Sequence, residues 1–217
     1  MSGASPTITP SARALRPGGF VSPSWRWVAI GALIVVAVPT ALVAVAEGSG
    51  ALRLPFDLFV IDARLPLLFR LHMLASGLSL LLIPTTIAMR RDRIWHRPLG
   101  RLASTCVVTG ALTSLPVAIV SSSAPLARAG FFAQGTVWIT LLALGIAAIR
   151  RRDVPRHQRF MLAMAAVATG AIWVRLTTAF AVTGQLPFDP VYSAIAWLGW
   201  LVPLSMVWHW APRFGFR

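Results

Sequence analysis

Two copies of one short motif contain the residues best suited to bind a metal or an anion. Residues 90–96 and 151–157 share the pattern Arg-Arg-Asp-x-x-x-His and lie 61 residues apart. If each stretch is helical, the aspartate and the histidine four residues later face each other and pair. A carboxylate that accepts one imidazole N–H leaves the other nitrogen free for a metal, so the motif suits a ligand as well as a structural role.

The two motif histidines, His96 and His157, are the candidate cofactor ligands. Related hairpins could place the two imidazoles opposite each other, which is how helix bundles hold a b-type heme by two axial histidines. Neighbouring arginines would then bind the heme propionates. The structural alternative stays open, in which the Asp–His pair closes the loop and the arginines bind lipid phosphate.

Three further residues could carry chemistry. His209 is predicted at the same membrane level as the motif histidines, whereas His72 and Arg175 lie deep in apolar runs. At 1.5 Å per residue, His72 is about 25 Å and Arg175 about 22 Å from the motif side of a ~30 Å core. Such groups face the bundle interior or a cavity. His72 therefore either bridges two helices by hydrogen bonds or contacts heme, quinone or a proton path, and Arg175 either snorkels or binds an anion, cofactor or substrate.

The elements that position these residues are membrane-spanning helices. Hydrophobic residues make up 57% of the 217 residues and charged residues only 12%, against about 25% charged in a soluble domain. Apolar runs predict an all-α, polytopic protein with six transmembrane helices, the middle four forming two related helical hairpins. The predicted spans are residues 27–46, 65–89, 102–122, 129–149, 160–182 and 192–208.

Arginine placement predicts the orientation. The connections after the second and fourth spans are rich in arginine, as are both chain ends, which predicts cytoplasmic N and C termini and a bacterial inner-membrane location. Residues 1–24, rich in Pro, Gly, Ser and Thr, are expected to be a disordered cytoplasmic tail. Residues 25–210 form the transmembrane domain, and 211–217 form a C-terminal cytoplasmic tail.

The net charge of +14 is explained by this topology and by contact with anionic lipid headgroups rather than by nucleic-acid binding. The residues expected to contact lipid or a docking partner are those of the two basic connections: Arg90, Arg91, Arg97, Arg101, Arg150, Arg151 and Arg152. A membrane or cytoplasmic redox partner and a homo-oligomer remain open.

Four segments together resemble an uncharacterised bacterial membrane family known as domain of unknown function 2306. They are Leu-His-Met at 71–73, His-Arg-Pro-Leu-Gly-Arg-Leu at 96–102, Arg-His-Gln-Arg-Phe-Met at 156–161 and Val-Arg-Leu at 174–176. Gln158 and Phe160 depart from the Arg and Trp usual in that family. The resemblance covers about residues 65–210 and implies this architecture and these residues, but no reaction.

A looser similarity is to cytochrome b561-like heme proteins, which carry histidines near both membrane faces. This chain has only His72 near the far face, so at most one bis-histidine heme fits. Three classes of function therefore compete. They are a redox protein holding heme or contacting quinone, a transporter-like protein for a small anion or amphiphile using Arg175 and His72, and a non-catalytic membrane subunit docking a partner through its arginine loops. No nucleophile–base set, carboxylate pair or phosphate-cradling glycine loop favours hydrolysis or phosphoryl transfer.

Overall fold

The computed structural model describes residues 23–210, without the side chains of residues 23–30, 32, 33, 93 and 210. Within that range the chain is helical and has no strand, so the predicted all-α class is confirmed. A 3-10 turn, Met89–Arg91, joins α3 to α4. The helices are α1 Pro23–Ser49, α2 Phe56–Arg64, α3 Pro66–Ala88, α4 Arg93–Val120, α5 Pro125–Arg150, α6 Val154–Ala168, α7 Gly170–Thr183 and α8 Phe188–Trp210. The predicted tails, apart from residues 23 and 24 at the start of α1, lie outside the described residues.

Five helical segments of the described chain are long and apolar enough to cross a membrane, and a shorter apolar one, Ile34–Ser49, precedes them. The chain is therefore a polytopic membrane protein. The five segments are Pro66–Arg91, Ile94–Val120, Pro125–Arg150, Val154–Thr183 and Phe188–His209. All five extend beyond the predicted spans at one end or both, most of all α4, which starts at Arg93 rather than at residue 102.

The fifth predicted span, residues 160–182, is interrupted at one residue, although α6 and α7 together form the single Val154–Thr183 segment. It is broken at Thr169 into α6 and α7, although no proline lies there, whereas Pro39, Pro84, Pro116 and Pro203 all lie inside continuous helices. A break inside a membrane leaves carbonyl groups that need a donor. Gln134 of α5 supplies one, since its Nε2 donates to Val167 O at 3.0 Å.

The bundle is built from antiparallel neighbours. The hairpins α3–α4 and α5–α6 each pack along their length, α1 packs on α3, and α8 packs against α5, α6 and α7. The shared core is made of small and aliphatic residues around Trp138 and Trp200. Helices α3 and α4 pack closely at Gly110, where a methyl group would lie 2.8 Å from Ser76 Oγ.

The bundle has two chemically different ends. The arginine-rich end comprises the α3–α4 and α5–α6 connections and the end of α8; the opposite end comprises the end of α1, α2, and the α4–α5 and α7–α8 connections. Helix α2 was not predicted. It is a short helix that packs on α3 and α4 at the opposite end.

Candidate functional site

The aspartates of the repeated motif begin helices. Asp92 accepts hydrogen bonds from the backbone N–H groups of Ile94 and Trp95 at 2.9 and 3.2 Å, and Asp153 accepts one from Arg156 at 3.1 Å. Both are therefore N-caps, of α4 and α6. The predicted side-chain pairing of Asp and His is wrong in both copies, because the carboxylate satisfies backbone donors that have no partner within the helix.

The motif histidines instead join each helix to the one before it. His96 Nδ1 lies 3.1 Å from Thr86 O of α3, and His157 Nδ1 lies 2.9 Å from Gly145 O of α5. A carbonyl oxygen can only accept, so Nδ1 carries the proton in each ring. The other ring nitrogen, Nε2, keeps its lone pair in the neutral form. The two copies of the motif thus make the same pair of contacts, which supports a common local design.

The structure does not bring His96 and His157 into one described contact. They lie at the starts of α4 and α6, and both helices pack against α5 and α3. No group of three or more His, Cys, Asp or Glu side chains suited to a metal occurs in the described part of the chain. Two surface cavities, of about 460 and 350 Å³, are lined without any histidine.

His72 bridges two helices, which was one of its two predicted roles. Its Nδ1 lies 2.9 Å from Gly110 O of α4 and 3.4 Å from Ser76 Oγ of its own helix. The absent side chain at Gly110 lets α3 approach closely enough for this bond. His72 is therefore part of the α3–α4 contact.

Arg175 is ion-paired to an acid that sequence reasoning did not assign to it. Its Nη2 lies 2.6 Å from Oε2 of Glu47, which is in the last turn of α1. The Glu47 side chain is 6% exposed and that of Arg175 is 31% exposed. This pair ties α1 to α7 at the opposite end of the bundle. One signal pointed to it, since Glu47 is the acid at the end of the first apolar run, at a depth similar to that of Arg175.

Other arginines at the opposite end are also used within the protein. Arg70 makes two 3.0 Å bonds to the carboxylate of Asp62. Arg64 donates to Val120 O, and Arg128 donates to Ala118 O and Ile119 O. These carbonyls belong to the last turn of α4, where no intrahelical donor remains. At this end Arg64, Arg70, Arg128 and Arg175 therefore hold helix ends and acids together, whereas Arg53 is exposed.

The arginine-rich end is different. Eight exposed arginines there have side chains that make no hydrogen bond or ion pair with any other residue that the structure describes: Arg90, Arg91, Arg97, Arg101, Arg150, Arg151, Arg152 and Arg156. A ninth, Arg159, lies 4.3 Å from the Trp208 ring, and its buried Nε has no hydrogen-bond partner among the described residues. His209 bonds Ser205 O of its own helix at 2.8 Å. The lipid-contact residues predicted from sequence all belong to this unpaired set.

One of these arginines occupies an unusual backbone conformation. Arg152 has φ 63°, in the left-handed region, at the residue after the α5 C-cap. Glycine is the usual residue there, and another residue costs about 1–2 kcal/mol. The chain therefore keeps a cation where glycine would give the more stable turn.

Helices of this length and hydrophobicity, joined by short connections and carrying arginines at their ends, define a polytopic membrane protein. A family model described as "Predicted membrane protein (DUF2306)" matches residues 69–211, and the chain belongs to this family. No curated protein and no solved structure matches the chain. The similarity to cytochrome b561-like proteins thus stays a prediction.

Breaking the Glu47–Arg175 pair should strongly destabilise the bundle. Removal of one partner leaves a charge without its counter-ion in a low-dielectric site, which costs about 3 kcal/mol. We expect Glu47→Gln and Arg175→Gln each to lower the unfolding free energy by about that amount in detergent. The double variant should lose less than the two single losses added together.

The matched control is the Arg70–Asp62 pair, in which the Arg70 side chain is 50% exposed. Asp62→Asn should cost about 1 kcal/mol or less, because the Arg70 guanidinium that it leaves behind is half exposed. Equal losses at both pairs, or additive losses for Glu47 and Arg175, would show that the buried pair does not hold α1 in place.

Proposed function

We propose that this protein is a six-span protein of the bacterial inner membrane, with both termini cytoplasmic, that binds anionic phospholipid through its arginine-rich end. On this proposal the chain is a membrane subunit rather than a transporter. The single observation that carries it is the unequal use of arginine at the two ends. Internal acceptors hold Arg64, Arg70, Arg128 and Arg175 at the opposite end, and no described acceptor holds the exposed arginines of the arginine-rich end.

Charge favours lipid phosphate as the missing acceptor. Guanidinium groups bind phosphate oxygens in pairs of hydrogen bonds, and each arginine near an anionic surface contributes about 1 kcal/mol. The only described acids at this end, Asp92 and Asp153, already cap helices. Orientation follows from the same charges, since arginine-rich connections stay in the cytoplasm.

The transporter hypothesis has less support. Both of its residues, Arg175 and His72, are engaged by groups of the protein itself, Glu47 and the Gly110 carbonyl. A bound anion would have to displace a carboxylate from Arg175. Lipid binding at the arginine-rich end needs no such exchange.

The proposed topology predicts which engineered cysteines react from outside intact cells. In a Cys106→Ala background, Ser123→Cys in the α4–α5 connection should react with a membrane-impermeant maleimide added to spheroplasts. Arg152→Cys in the α5–α6 connection should react only after lysis. The reverse pattern, or reaction of both before lysis, would refute the proposed orientation.

Neutralising the unpaired arginines should weaken binding of anionic lipid. We expect Arg150→Gln/Arg151→Gln/Arg152→Gln to raise the dissociation constant for phosphatidylglycerol about 100-fold, at about 1 kcal/mol per charge. Native mass spectrometry of the detergent-purified protein, with phosphatidylcholine for comparison, measures this loss. Arg53→Gln is the control, because Arg53 is exposed at the opposite end.

Two results would contradict lipid binding. Equal affinity of the wild type for phosphatidylglycerol and phosphatidylcholine would show that headgroup charge does not contribute to binding. An Arg53→Gln variant that loses as much affinity per charge as the triple variant would show that the effect is not confined to the arginine-rich end. Capture of an acidic protein in place of lipid would instead favour partner docking.

A b-type heme held by His96 and His157 is the second candidate. The specific observation in its favour is that the Nδ1–H of each ring donates to a backbone carbonyl oxygen. This hydrogen bond orients the ring and leaves Nε2 able to bind a metal. Under this candidate, protein purified after heme supply should show a Soret band that shifts with dithionite and is lost in His96→Ala/His157→Ala. A colourless, folded wild type would sink the heme hypothesis.

A further inference from the structure

We infer that a shallow groove on α5 binds one anionic phospholipid, with an acyl chain along the groove and the phosphate at two arginines. The inference rests on the proposed lipid-binding function and deepens it by naming one site. The groove has a volume of about 460 Å³ and is lined by Ala143, Ile146, Ala147, Arg150 and Arg151. Four of these five lie on one face of α5 by helical spacing.

The shape of the groove suits a lipid chain. Ala143 and Ala147 are exposed and are one helical turn apart, so their small side chains leave a trough on the surface of α5. An acyl chain already lies in hydrocarbon, so it gains van der Waals contact in the trough rather than a hydrophobic transfer energy. The groove therefore discriminates between lipids by the shape of the acyl chain, and any preference for anionic lipid must come from the headgroup.

The charges at the end of the groove suit a phosphodiester. Arg150 and Arg151 close the cytoplasmic end of α5, are exposed, and have no described acceptor. Arg152 follows at once, so three cations stand together without an acid among them. A single phosphate between two guanidinium groups would relieve their mutual repulsion.

A second cavity in the same bundle serves as an internal comparison. It measures about 350 Å³, lies at the opposite end, and is lined by Ala118, Ile119, Pro125, Arg128, Ala129 and Phe132. Its only arginine, Arg128, already donates to Ala118 O and Ile119 O. The two cavities are thus similar in lining and differ in whether their arginine is available to an anion.

A second copy of this chain is the competing occupant, because small residues one turn apart also let membrane helices pack together. Such a two-fold contact would bring Arg150 and Arg151 of both copies toward each other without a counter-ion. Like charges in contact oppose that association. The charge therefore favours lipid over a second α5.

The test fills the groove without changing its charge. Ala143→Leu/Ala147→Leu should weaken binding of the first dioleoyl-phosphatidylglycerol about tenfold, while later, weaker binding steps stay unchanged. Native mass spectrometry of full-length protein resolves these steps. Arg150→Gln/Arg151→Gln should abolish the preference of the first step for phosphatidylglycerol over phosphatidylcholine. Ala129→Leu, in the comparison cavity, should change neither.

Two further measurements distinguish a lipid from the other possible occupants of the groove. Glycerophosphate, which has the headgroup charge but no chains, should not compete for the first step, and competition would point to a free-phosphate site instead. Dimers that the double leucine variant loses would assign the groove to a second copy. Because both alanines are exposed, the variant should keep the wild-type unfolding midpoint, which verifies folding.

One result overturns the groove and leaves the proposed function standing. If the triple arginine variant loses phosphatidylglycerol but the double leucine variant binds the first lipid like the wild type, lipid contact is purely electrostatic. If neither variant changes lipid binding, both the groove and the proposed function fail.

Discussion

Hydrocarbon offers no hydrogen-bond partner to charges or backbone groups, so the polar groups buried in this bundle depend on partners from the chain itself. Among the described side chains, only Trp138 Nε1 and Arg159 Nε are buried without one. The chain has only six acids for twenty arginines. Two acids, Glu47 and Asp62, neutralise arginines at the opposite end. The other four begin helices, as N-caps or in the first turn, where the helix dipole favours negative charge: Asp57, Asp92, Asp153 and Asp189. The two described acids at the arginine-rich end, Asp92 and Asp153, cap helices, and no described acid forms an ion pair with its arginines.

Backbone carbonyls are satisfied by the same limited set of donors. Arg64 and Arg128 donate to carbonyls at the end of α4, and Gln134 donates to one at the α6–α7 break. His96 donates to a carbonyl of α3, and His157 donates to one of α5. The histidines thus hold the two hairpins closed. Each of these hydrogen bonds uses Nδ1 and fixes the orientation of the ring, while Nε2 keeps its lone pair. A motif histidine can therefore join two helices and still have a nitrogen that could bind a ligand.

Membrane spans could be predicted from the sequence because hydropathy is a local sum. The contacts between individual side chains could not be predicted in this way. Spacing alone does not distinguish an aspartate that caps a helix from one that pairs four residues later, so Asp92 and Asp153 were misassigned. Glu47 and Arg175 are 128 residues apart, and only their similar depth relates them. The break at Thr169 has no proline to mark it, and α2 is too short to give an apolar run.

On the proposed function, an external anion would stabilise the α5–α6 connection. Arg150, Arg151 and Arg152 are consecutive and exposed. Arg152 adopts a left-handed backbone conformation that costs about 1–2 kcal/mol more for arginine than for glycine. Both the strain and the repulsion oppose folding, and no described side chain or carbonyl accepts a hydrogen bond from these three guanidinium groups. A stabilising phosphate would offset both, and the membrane surface is where such phosphates are abundant. Stability of this loop should therefore depend on lipid composition more than on the protein's own contacts.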